Sequence, residues 1–225
     1  MTGLVSFDVL YDMAASRKGG AVAFEATLST PKSPEELAAI ADDRWLSAMS
    51  KSVFRAGFNW KVVEAKWPRF EEVFEDFDIG RMSMMSDDDL HDYLKSDGII
   101  RHAKKILSIR DNAVFLRELV AEHGSAGQAI GGWPNEDFCG LLWLLKRRGS
   151  RLGGTTGMYF LRGAGVDGFV LSRDVVRALI RDGVIDKEPG SKRDLDLVQA
   201  AFNQWSTESG RPLMQISRVL ACSIE

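Results

Sequence analysis

Leu144-Leu145-Lys146-Arg147-Arg148-Gly149-Ser150-Arg151-Leu152-Gly153-Gly154-Thr155-Thr156-Gly157 sets a basic cluster and four glycines between two segments of helical spacing. The run predicts a short glycine hairpin joining two helices. Glycines there let the backbone come close to a ligand, and its N–H groups point outward beside the positive end of the second helix. Such a turn suits one phosphate. With Lys146 to Arg151 beside it, the natural ligand is a DNA backbone phosphate gripped without reading sequence. The candidate contacts are Arg148, Gly149, Arg151, Gly153, Gly154, Thr155 and Thr156. The same glycines also suit a purely steric role, as in many helical hairpins.

Outward from the hairpin, apolar spacing of three and four recurs almost throughout, and alternating runs are short, so the chain reads as all-α. Ser33-Pro34-Glu35-Glu36 has a hydroxyl cap, a proline at the first position and carboxylates in the first turn of a helix. Similar starts stand at Trp67-Pro68, feeding a face of Phe70, Val73, Phe74 and Phe77, and at Ser86-Asp87-Asp88-Asp89. A longer helix is expected from about Ile100 to Glu122, burying Ile106, Ile109, Ala113, Leu116 and Val120. The Gly-rich segment Gly124 to Pro134 breaks the helical pattern and suggests a break between two lobes, after which Asn135-Glu136-Asp137 opens a helix ending near Gly149. Further helices are expected over 172–182, 192–205 and from Pro212. The reading is one domain of two helical lobes over 1–225, with the hairpin at 146–157 and a helical extension at 190–225.

The 225 residues, 45% hydrophobic and with six Trp and twelve Phe, can bury a real core, which excludes a disordered tail protein. No stretch of 18 apolar residues and no leader-like N-terminus is present, so a cytoplasmic protein without a membrane partner is expected, nucleoid-associated in a prokaryote. Two cysteines are too few for a disulfide framework. A net charge of −3 gives no global basic field, so any nucleic-acid contact must come from a local patch. Glu71 to Asp92 holds nine carboxylates against Arg81 alone, whereas Lys146 to Arg181 holds eight cations against Asp167 and Asp174. Both runs suit solvated helix faces; the second also suits a polyanion. Gly163-Ala164-Gly165-Val166-Asp167-Gly168 spells G-x-G-x-x-G, but helical sequence precedes it, so it reads as an inter-helix turn rather than a dinucleotide site.

Four further stretches, taken in order, resemble one family. They are Arg55-Ala56-Gly57-Phe58-Asn59-Trp60-Lys61-Val62-Val63, Phe70-Glu71-Glu72-Val73-Phe74 through Phe77-Asp78, Gly98-Ile99-Ile100-Arg101-His102-Ala103-Lys104-Lys105-Ile106, and Asp111-Asn112-Ala113. With the later hairpin they are similar, over roughly Asp42 to Ala178, to the DNA-3-methyladenine glycosylase I family. The resemblance implies an all-α, two-lobed helix-hairpin-helix DNA glycosylase fold. It also implies base-excision repair of double-stranded DNA containing alkylated bases, chiefly 3-methyladenine, after the base is turned out of the duplex. No cofactor is expected, and no obligate protein partner. Trp60 matches the family's pocket tryptophan, whose electron-rich face is worth roughly 0.5–2 kcal/mol to a desolvated cation. Phe54, Arg55, Phe58 and Asn59 accompany it as base-pocket candidates, some of them packing residues.

The sequence also departs from that family. Ser52 stands where the family has the glutamate that hydrogen-bonds the extruded base, and a hydroxyl cannot offer a carboxylate's charge. Ser172 falls at the position of the superfamily's aspartate, with Asp174 two residues on, where it could stabilise positive charge on the sugar or simply pair with Arg177 or Arg181. Ser52, Ser172 and Asp174 are therefore the candidate catalytic positions. The family's zinc clip has Asp174 and Ala178 in place of its later ligands, and the first 90 residues hold neither Cys nor His, so no metal is expected. The leading expectation is a monofunctional glycosylase. Its alternatives are a non-catalytic DNA-binding relative and a glycosylase for a different modified base.

Overall fold

A computed structural model of the chain describes residues 4–224, which hold α-helices and 3-10 turns and no strand. In order the helices are α1 (Phe7–Arg17), α2 (Ala21–Glu25), α3 (Pro34–Ala38), α4 (Asp42–Arg55), α5 (Trp60–Val73), α6 (Ile79–Ser83), α7 (Asp87–Tyr93), α8 (Ala103–His123), α9 (Ala126–Gly131), α10 (Phe138–Arg148), α11 (Thr155–Ala164), α12 (Arg173–Arg181), α13 (Lys192–Ser209) and α14 (Leu213–Cys222).

Local chemistry accounts for most of the starts. Ser33 and Glu36 form a reciprocal capping box on α3, and Ser86 and Asp89 do the same on α7. Ser172 and Ser191 cap α12 and α13. One expected start is corrected: Trp67-Pro68 does not open a helix. Asn59 Oδ1 accepts the Lys61 N–H at 2.9 Å and begins α5 at Trp60, so that Pro68 lies inside it. A buried aromatic stack stabilises this stretch despite the N–H that proline lacks. Trp67 lies parallel to Phe70 at 4.8 Å and to Phe77 at 5.5 Å. A second correction concerns the Gly-rich stretch, part of which folds as α9 because Ser125 Oγ accepts the Gln128 N–H at 3.0 Å. In α8 the stripe Ile106, Ile109, Ala113 and Leu116 is buried as expected, but Leu119 rather than Val120 completes it.

The chain forms two compact units. One comprises Ser33–Trp133 and Leu141–Val166; its core includes Trp45, Phe54, Phe70 and Ile109. The other gathers the chain up to Lys32, Pro134–Gly140 and everything from Asp167 on. In it Phe138 meets Phe169 edge-on at 4.9 Å, Phe169 stacks on Phe202 at 4.3 Å, and Phe202 meets Trp205. The G-x-G-x-x-G segment is the turn that ends α11, and Asp167 within it accepts the N–H groups of Leu213 and Met214 at 3.1 and 2.8 Å, capping α14. No helix among the described residues is long and apolar enough to cross a membrane.

Because α13 and α14 supply Phe202, Trp205, Ile216 and Leu220 to that second core, truncation after Asp186 should abolish its cooperative thermal transition. Circular dichroism of the truncated chain checks this, and an unchanged transition would contradict it.

Candidate functional site

The last turn of α4 leaves carbonyls without helical partners. Lys105, buried on α8, supplies them: its Nζ donates to the carbonyls of Val53 (2.9 Å), Phe54 (3.2 Å) and Ala56 (2.6 Å). Burial, and secondarily the charge of Arg151, push this amine down to about 8. The chain then turns through Gly57 and Asn59 caps α5, which sets Trp60, a residue 45% exposed, at the helix start.

Beside Trp60 lies a pocket of about 140 Å³, lined also by Ser52, Arg55, Thr155, Thr156 and Tyr159. Tyr159 meets the indole edge-on at 5.2 Å, and the Arg55 guanidinium covers the ring at 5.1 Å from its centre. Ser52 Oγ donates to the Thr156 carbonyl at 2.8 Å and so ties α4 to the first turn of α11. A neighbouring cavity of about 260 Å³ shares Ser52, Arg55 and Tyr159 and adds Lys51, Ser47 and Glu71. Its Glu71 carboxylate is fully engaged, accepting from Ser47 (2.6 Å), Trp67 Nε1 (2.9 Å) and Arg44 (3.0 Å). Glu64, one turn past Trp60, pairs with both Arg55 and Lys51. Burial would raise its pKa, but the hydrogen bond from Arg55 and the neighbouring positive charges hold it below the usual carboxylate range.

The hairpin is clamped by buried Asn112, whose Nδ2 donates to the Ser150 carbonyl at 3.1 Å while Oδ1 accepts the Ser150 N–H at 2.7 Å. At its far end Gly154 has φ +60° and open space where a Cβ would stand. It begins α11 without any side-chain cap, so the first N–H groups of that helix face outward beside exposed Thr155. Arg151 is exposed at φ +63°, and Gly153 is exposed.

Several expected contacts resolve differently. Arg148 is not available to a phosphate: it donates to Glu122 and Glu118 at 2.8–3.0 Å, bonds that raise its already high pKa. Gly149 serves packing, since a Cβ there would lie 2.6 Å from the Leu145 carbonyl. Phe54 is a core residue, sealed against Phe70 and Trp67 and not a pocket wall. Asn59 is a helix cap, and Phe58 packs under Lys105 Nζ at 4.4 Å, outside the pocket lining. In the other unit Ser172 caps α12 by accepting the Val175 N–H at 3.4 Å, and Asp174 is exposed, 3.9 Å from Arg177. No group of three His, Cys, Asp or Glu among the described residues could hold a metal, so the donor set does not fit a zinc clip.

Tyr159, Asn112 and Lys105 had no assigned role from sequence. Tyr159 was recoverable, because it lies three and four residues after Thr156 and Thr155 on the same helix face. Asn112 and Lys105 act across long sequence separations, and only their place in the recurring motif marked them.

Two outcomes follow. Asn112→Ala removes both bonds to Ser150 and should lower the melting temperature, read by thermal denaturation. For Lys105, whose pKa is lowered in the fold, the unfolded chain binds more protons between about 8 and the ordinary lysine value of 10.5. Stability should therefore rise with pH across that window, and Lys105→Met should flatten the rise in denaturant midpoints.

Among curated proteins no sequence matches the chain. Residues 38–137 match the family described as methyladenine glycosylase. The solved 3-methyladenine DNA glycosylase I from Staphylococcus aureus is 18% identical, with 68% of this chain and 91% of that one covered at a TM-score of 0.51. The 8-oxoguanine glycosylase/lyase from Methanocaldococcus jannaschii, solved with DNA containing 8-oxoguanine, is 16% identical, with 95% of each chain covered at 0.55. The 8-oxoguanine DNA glycosylase of Thermotoga maritima is 17% identical, with 95% of this chain and 94% of that one covered at 0.56. Residues 38–137 thus carry the methyladenine glycosylase likeness, within a chain that has the fold of the helix-hairpin-helix DNA glycosylases.

Proposed function

We propose that the protein is a monofunctional DNA glycosylase of base-excision repair, acting alone on double-stranded DNA in the cytoplasm or nucleoid. The observation that carries this reading is that Trp60 and the start of α11, at Thr155 and Thr156, line one pocket. A helix N-terminus with outward N–H groups anchors a backbone phosphate, and Arg151 adds charge to it. A nucleotide held there can turn its base onto the exposed indole beside Tyr159, paying the unstacking cost least when the base is damaged.

The reaction breaks the N-glycosidic bond while the sugar gains positive charge; water's oxygen adds to C1′, and the proton it sheds passes to solvent when the departing base was cationic and to the base when it was neutral. No lysine lies between Gly163 and Asp182, where lyases of the superfamily place their amine, so cleavage stops at the abasic site. Alkylated bases, 3-methyladenine first, are the substrates the family likeness favours. A different modified base is the second reading, favoured because Ser52 replaces the glutamate and spends its proton on Thr156.

Incubation with methylated and otherwise damaged duplexes, with mass spectrometry of released bases, tests the reading. Trp60→Ala should reduce release by about a hundredfold or more. Arg151→Ala should weaken binding equally across sequences and reduce the salt slope by about 1. Absence of abasic sites from every duplex overturns the enzymatic reading.

A further inference from the structure

Resting on that glycosylase reading, we propose that the base accepted beside Trp60 is uncharged and carries a carbonyl oxygen turned toward Arg55, so that oxidised or deaminated purines are preferred over cationic 3-methyladenine.

The first observation is where the positive charge already sits. A pocket that selects a cationic base keeps the face of its aromatic ring free and a carboxylate within reach. Here the Arg55 guanidinium occupies the Trp60 face at 5.1 Å. A second cation stacked on the same indole meets like charge instead of an unengaged ring. The neighbouring cavity adds another cation in Lys51.

The nearby carboxylates do not offset this. Glu64 is shared between Arg55 and Lys51. Glu71 is held by Ser47, Trp67 and Arg44. Among the residues lining the Trp60 pocket the single charged side chain is Arg55.

The second observation is independent of charge. Arg55 directs one arm to Glu64, but its Nε is buried and has no hydrogen-bond partner. A buried N–H without an acceptor is costly, and a carbonyl edge brought to it would satisfy it with a charge-assisted bond. Ser52 faces the same space having already donated its proton, so toward a ligand it can only accept, which suits a ring N–H or an exocyclic amine. A donor at Arg55 beside an acceptor at Ser52 is the complement of a keto purine's edge. The pocket's 140 Å³ is close to a cavity of about 150 Å³ that holds one six-membered aromatic ring. The adjoining cavity shares Ser52, Arg55 and Tyr159 with it.

The chemistry agrees with this preference. When a neutral base departs, the N9–C1′ electron pair leaves on the base, which becomes transiently anionic. The oxygen of water bonds to C1′, and the proton it sheds ends on the base. An arginine hydrogen-bonded to the carbonyl stabilises the anion without itself transferring a proton. A base already cationic departs neutral and has no need of that group.

The test uses the full chain with separate duplexes containing hypoxanthine, 8-oxoguanine, or bases methylated by an alkylating agent, and quantifies each released base. The expected result is release of at least one keto base about tenfold or more faster than 3-methyladenine. Arg55→Gln should lower the keto rate about tenfold and shift the ratio of keto release to 3-methyladenine release toward 3-methyladenine by a similar factor. Arg55→Lys, which keeps charge but lacks Nε, should also lose keto release, and it serves if the first variant does not fold. Faster release of 3-methyladenine than of either keto base overturns this inference and leaves the glycosylase reading standing. Equal keto release in wild type and variants also overturns it. No release from any duplex overturns both.

Discussion

The C-terminal turn of α4 is the joint on which the site depends. Its free carbonyls must be satisfied away from water, and one buried ammonium does this for three of them while lying over the Phe58 ring. Charge-assisted bonds of this kind are roughly twice as strong as neutral ones and fix direction as well as distance. From that anchored turn the chain can reverse at Gly57 and start α5 at Asn59, which leaves the indole of Trp60 exposed at the mouth of a pocket. Ser52, one turn earlier, reaches across to the Thr156 carbonyl. The Trp60 pocket and the start of α11 are therefore set by two contacts on the same few residues.

The hairpin is held from its other side by α8. Asn112 matches both backbone groups of Ser150, and Arg148 forks between Glu118 and Glu122 over the Phe115 ring. Exposed ion pairs contribute little singly, but a forked guanidinium shared by two carboxylates on one helix gains geometric definition. The result is a division of labour within one basic run. Arg148 holds the turn in place, whereas Arg151 is exposed and pairs with neither Glu118 nor Glu122 of α8.

Helix starts that depend on a neighbouring hydroxyl or carboxylate were legible in the sequence, as at Ser33, Ser86 and Ser172, because a cap acts within three residues. Trp60 was legible through its motif. What stayed hidden depends on partners far along the chain. Arg148 reads as a free cation until α8 brings Glu118 and Glu122 to it. Phe54 reads as a pocket wall until Phe70 and Trp67 close over it. Pro68 reads as a helix start because its tolerance inside α5 comes from a tertiary aromatic stack rather than from local propensity. Asp174 and Ser172 are placed by their own helix, and cap and ion-pair geometry account for what surrounds them.

Ser52, where the family that the sequence resembles has a glutamate, is part of a coupled arrangement with Arg55. An ionised carboxylate at 52 has no proton to give the Thr156 carbonyl, so two acceptors would face each other where α4 and α11 now bond. It would also compete with Glu64 for Arg55 and draw the guanidinium away from the indole, removing the cation that now covers Trp60. Serine at 52 and arginine at 55 therefore support each other. The hydroxyl closes the α4–α11 contact, and the absence of a second carboxylate leaves Arg55 over the ring with its Nε buried and unpartnered. Restoring the acid alone would disturb the helix contact before it could restore recognition of a cation. The electrostatics of this pocket thus belong to the pair of positions together, as expected when interacting charged and polar groups share one small volume.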